Sequence, residues 1–132
     1  MLKPIDFFRA MLEISDCVIV TQNFRRFTKQ DKHFAAYMQQ DGDCDFTLTF
    51  DRNIVNDPDP LYYIETLAHE LTHVAQYASG KMVDGCGSIV YWDGQAIDES
   101  TADYWLLPWE VEAREKQLEL TLAWLAYNER HH

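Results

Sequence analysis

The chain has 132 residues, 47% of them apolar and 14% aromatic, which suffices for one hydrophobic core and argues against both disorder and a second domain. Its formal net charge is −11, from 22 acidic against 11 basic side chains, a solvated acidic surface that argues against nucleic acid or an anionic membrane as partner. No apolar stretch is long enough to cross a bilayer. Cys17, Cys44 and Cys86 are odd in number and far apart, which suits a reducing compartment and predicts a cytoplasmic protein.

Pro4 suits a first helical position, and Ile5, Phe8 and Leu12 follow at helical spacing, so a short amphipathic helix is predicted over 4–14. Asp6, Arg9 and Glu13 interrupt this start, which therefore lacks a signal-peptide core. The β-branched run CVIV predicts a strand at 17–20. HFAAYMQ (33–39) and DFTLTFD (45–51) flank Asp41-Gly42, a turn signal that predicts a β-hairpin. In the second run Phe46, Leu48 and Phe50 alternate with Thr47 and Thr49, the pattern of a strand with one buried and one polar face. NDPDP (56–60) breaks the chain.

A helix is predicted over 60–79, with Asp59 as N-cap, Pro60 in the first turn and Gly80 just past the end. At about 100° per residue, Ile64, Leu67, Ala68, Leu71, Ala75 and Ala78 form one apolar stripe. His69 and His73 fall nearly opposite it, near Tyr62 and Tyr77. A Gly-rich segment follows, with one strand expected at 88–92, and a last helix starts near Pro108. The aromatic and acidic stretch YWDGQAIDESTADYW reads either as a loop packed over the core or as the wall of a specificity pocket.

The predicted central helix carries HELTH (69–73), an H-E-x-x-H pattern. Residues four apart on a helix are neighbours, so His69 and His73 can reach one cation from a single turn. Glu70 is turned about 100° from His69, free to take a proton from a water that Zn2+ acidifies and to pass it to a leaving amine. A catalytic zinc ion usually takes a third protein ligand. VAQYASG after His73 offers no histidine, so the candidates are Glu110, Glu112 and Glu115 in PWEVEARE. On a helical wheel Val111, Leu118, Leu122 and Leu125 share a stripe with Glu110 on its flank beside Ala113 and Gln117. Glu112 turns towards Lys116 and Glu119, on the solvated side. Glu110 is therefore the preferred ligand and Glu112 the alternative; the small Ala113 lets the two helices approach closely.

HELTH followed by EVEA (110–113) resembles the gluzincin branch of zinc metallopeptidases, particularly minimal and phage-type versions and the ImmA/IrrE-like group. The resemblance covers roughly residues 45 to 115. It implies an α+β, minimal zincin-like fold in which a small mixed sheet packs on an active-site helix and a C-terminal helix delivers a ligand, all in one domain over 1–130. The closing His131-His132 pair is set aside as a tag remnant. The resemblance also implies Zn2+ held by His69, His73 and Glu110, with Glu70 as base, and a peptide or protein substrate lying along an edge strand from the hairpin. Oxyanion donors are sought in Tyr104 and Tyr91, with Tyr104 preferred. Where the family pattern places Asn before the ligand and Asp four residues after it, this chain has Trp109 and Arg114, which leaves Asp103 or Asp98 to orient a ligating imidazole. Two other readings compete with the peptidase: a catalytically silent regulator that keeps the fold and binds a partner, and a domain with a purely structural zinc ion.

Overall fold

Pro4 lacks an amide hydrogen that a helix start leaves unpaired in any case, and the computed structural model, which describes residues 1–28 and 35–131, begins α1 there (Pro4–Met11). The helix stops short of residue 14 because Glu13 takes a left-handed φ of 56°. β1 (Ile19–Arg25) begins inside CVIV and runs beyond it. Its middle, Thr21–Asn23, is polar because β1 lies at a sheet edge.

The hairpin forms from β2 (Ala36–Gly42) and β3 (Asp45–Asp51); the start of the predicted run 33–39, including His33, lies outside the described residues. Its turn sits two residues later than the Asp-Gly signal, because Asp41 and Gly42 are absorbed into a strand end whose register shifts between Gln40 and Gly42. β3 is central, parallel to β1 and antiparallel to β2, so the first sheet is mixed in the order β1-β3-β2. Both edges of β3 are therefore paired. Phe46, Leu48 and Phe50 are fully buried, and Thr49, expected on the polar face, is buried as well.

α2 spans Tyr62–Ala78, two residues shorter at its start than the sequence predicts. Asp57 and Asp59 spend their carboxylates on successive turns, accepting from Asp59 N (2.9 Å) and Leu61 N (2.9 Å), so Pro60 lies in a turn and not in the helix. The end is as expected: Gly80, at φ +80°, sits just past it. Ile64, Leu67, Ala68 and Leu71 face the core with Phe8, Val18 and the β3 aromatics.

A second, antiparallel sheet follows: β4 (Met82–Asp84), β5 (Ile89–Trp92) and β6 (Gln95–Asp98). β5 is the expected strand, β6 comes where a loop was one of the readings, and β4 stands where no element was expected. β5 and β6 are joined by Asp93-Gly94, both at positive φ (50° and 83°), the backbone of a tight hairpin turn. Met82 and Val90 pack with Leu107 and Trp109, which seats this sheet at the start of α3 (Pro108–Arg130). The fold is thus α+β, with two small sheets against α2 and the C-terminal α3 laid across it. Among the described residues no helix is long and apolar enough to cross a membrane.

One face assignment fails. The Val111–Leu118–Leu122–Leu125 stripe looks outwards, with Leu118 64% and Leu122 57% exposed. The opposite side of α3 is buried through Glu110, Ala113, Leu120 and Trp124. Aromatic packing decides this: Trp124 meets Phe7 edge-on at 5.5 Å and Phe8 at 6.3 Å, tying α3 to α1. In urea unfolding, Leu120→Ala should therefore cost about 2–5 kcal/mol, and Leu122→Ala should stay within about 0.5 kcal/mol of wild type.

Candidate metal centre

α2 presents His69 and His73 one turn apart, with ring centroids 4.9 Å from each other, in a cleft that β2 of the first sheet also lines. α3 supplies the third group. Glu110 stands in its first turn, and the fully buried Ala113 one turn later lets the helices approach closely. Glu110 Oε1 lies 3.1 Å from His69 Nε2 and 3.1 Å from His73 Nε2. All three candidate ligand atoms fall within 4.8 Å of one another.

This donor set fits a dication. Each ring turns its other nitrogen to an amide oxygen: His69 Nδ1 is 2.9 Å from Gln117 Oε1, and His73 Nδ1 is 2.8 Å from Gln76 Oε1. An amide oxygen only accepts, so Nδ1 carries the hydrogen and a neutral ring points its Nε2 lone pair at the carboxylate. Two lone pairs facing a carboxylate repel one another unless a proton or a cation stands between them. Ligands about 2.0 Å from a tetrahedral zinc ion lie about 3.3 Å apart, close to the spacing seen.

The sequence expectations sort accordingly. His69, His73 and Glu110 come together; Glu112 does not join them, and bonds to Gln76 and Lys81 instead. Glu70 and Tyr104 line the same cleft as the triad, along with Ala36, Tyr37 and Met38 of β2 and Tyr77, Met82, Glu99 and Trp109. Tyr91 does not line it and packs over Gly85 in the second sheet. Neither Asp98 nor Asp103 touches a histidine. Asp98 accepts from Ser88 Oγ and Ser100, and Asp103 from Trp105 N, so both carboxylates are spent on local turns. The groups that orient the imidazoles are Gln76 and Gln117, neutral amides where a carboxylate was expected. The only sequence signal for Gln76 is its place three residues after His73 on one helix face. Arg114, noted in the sequence only as a departure, lines an adjoining pocket with Tyr104, Trp105 and Gln117.

The two cleft carboxylates differ in proton affinity. Burial pushes the Glu70 carboxyl above its ordinary value, against the opposing pull of His73 and His69. Burial acts on Glu110 in the same sense, but hydrogen bonds from both histidines outweigh it and hold that carboxyl far below the usual range. His73 is raised: desolvation opposes its charge, but the hydrogen bond to Glu110 and the charge of Glu70 prevail. Tyr104 is raised by burial and then by the Glu110 charge.

No family model, curated protein or solved structure matches the chain. The case for a metal centre therefore stands on the arrangement of its side chains.

A pH dependence follows for protein stripped of metal by a chelator. The raised His73 contributes stability that is complete below the unfolded value of about 6.5 and is lost as pH rises through its folded value; the lowered Glu110 contributes stability present above about 4.3 and lost as pH falls. Thermal unfolding in EDTA should show the melting temperature falling on the alkaline side. Added zinc should abolish that fall, since an ion bound by neutral rings needs no proton on His73.

Proposed function

We propose that the protein is a zinc-dependent metallopeptidase that hydrolyses peptide bonds of a peptide or protein substrate. The observation that carries this reading is the convergence of His69 Nε2, His73 Nε2 and Glu110 Oε1 in a cleft that also contains Glu70. His69, His73 and Glu110 would hold the ion. Zinc, when bound, supplies Lewis acidity towards water and towards a carbonyl oxygen.

The protein's own groups account for the remaining steps. Glu70, whose desolvated carboxyl has raised proton affinity, removes the proton of the attacking water and returns it to the nitrogen of the leaving amine. Tyr104 lines the cleft beside Glu110, and during reaction its O–H donates to the substrate carbonyl oxygen as negative charge gathers there. β2 is an edge strand of the first sheet, and its residues Ala36–Met38 line the cleft. An extended peptide added to this edge would bring its backbone past Glu70 and the triad. The three cysteines are free and exposed, which supports a reducing compartment and hence the cytoplasm.

Purified variants test this reading by bound zinc and by cleavage of an unfolded protein substrate. Glu110→Ala should lose zinc. Glu70→Gln should keep zinc and lose turnover, and Tyr104→Phe should keep zinc with kcat lowered roughly 10²–10³-fold. Zinc-loaded wild type that cleaves nothing would favour the silent, partner-binding alternative, and full cleavage by Glu70→Gln would overturn the proposed mechanism.

A further inference from the structure

Gln76, beside the centre, is only 2% exposed, and its surroundings permit one orientation of its amide. Nε2 lies 3.0 Å from the Trp109 carbonyl oxygen and 3.1 Å from Glu112 Oε1. Both of these are acceptors when Glu112 is ionised. Lys81 pairs with it, Nζ lying 2.6 Å from Glu112 Oε2, so the carboxylate presents its other oxygen to Gln76 as an acceptor. The NH2 end of Gln76 is therefore committed to Trp109 and Glu112. Turned over, the amide would set its oxygen against two other oxygens. Its Oε1 is left facing His73 Nδ1.

We infer that Lys81 and Glu112 are positioning residues that act through Gln76 to hold His73 in the Nδ1–H tautomer, with its Nε2 lone pair aimed at the centre. The inference rests on the metal-centre reading. It gives Glu112 a part different from that of ligand: it fixes the amide that fixes the imidazole. It also ties the second sheet to the centre, because Lys81 leads into β4, its carbonyl accepts from Asp93 N at 2.9 Å, and its ammonium lies 4.6 Å from the Trp92 ring centroid. His69 provides an internal comparison. Its partner Gln117 has no such chain of holders among the described residues, so the two imidazoles should differ in how firmly their tautomer is set.

Imidazole ¹⁵N spectra of metal-free protein, recorded at a pH where both rings are neutral, read the tautomers directly, and chelator competition reads the zinc affinity of the same samples. Wild-type His73 should be in the Nδ1–H form. In Glu112→Leu, and in Lys81→Met at the partly exposed end of the chain, His73 should become a mixture of tautomers while His69 is unchanged. Zinc affinity should fall by about 10–100-fold in Glu112→Leu. Glu112→Gln retains an acceptor for Gln76 and should recover most of that loss, which a merely structural role for Glu112 would not explain. A wild type that binds zinc with His73 already mixed, or a folded Glu112→Leu with the His73 signal and zinc affinity of wild type, would overturn the relay and leave the centre intact. A locked His73 in a protein with no affinity for zinc would overturn the centre and leave the tautomer relay standing.

Discussion

The structure depends on a carboxylate that has been taken out of water. Glu110 is 4% exposed, in the first turn of α3, against a helix face that offers two imidazole nitrogens, with no lysine or arginine within salt-bridge distance among the described residues. Burying an unpaired carboxylate costs several kcal/mol, so α2 and α3 can pack this closely only if positive charge is shared among the three side chains. The rest of the architecture holds that meeting point in place. Trp124 and Leu120 anchor the far end of α3 to the main core, while Leu107 and Trp109 anchor its start to the second sheet.

The same cleft separates two carboxylates into distinct chemical roles. Glu70 and Glu110 both suffer desolvation, but Glu110 receives the histidine hydrogen bonds and Glu70 does not, so their proton affinities move in opposite directions. One is suited to remain an anion and hold a cation; the other is suited to accept and release a proton. Divergence of neighbouring titratable groups is how a small site assigns acid–base work, and here it comes from which helix each group occupies.

The parts legible in the sequence were those set by local periodicity. The H-E-x-x-H spacing, the apolar stripe of α2, Gly80 at its end and the alternation of β3 all report on residues within a turn or a strand of one another. Glu110 was distinguishable from Glu112 because a helical wheel separates them, although the leucine stripe used as a reference proved to face solvent. That stripe misled because the burial of α3 is dictated by Phe7 and Phe8, more than a hundred positions away, and no periodicity within the helix reports on them. Gln76 and Gln117 were illegible for the same reason: their importance lies in what the neighbouring helix brings to them. Asp93-Gly94 is a different case, since its turn signal was present in the chain and would have disclosed the β5–β6 hairpin.

His73 and Glu110 stand 37 positions apart, and the whole second sheet lies in the intervening loop. An ion shared by them would close that loop like a clasp, and its binding energy would become part of the energy of folding. Copies made when the ion is scarce would spend more time with the loop open and exposed to the cell's own degradation machinery. With such an ion, metal supply would set how long the fold survives.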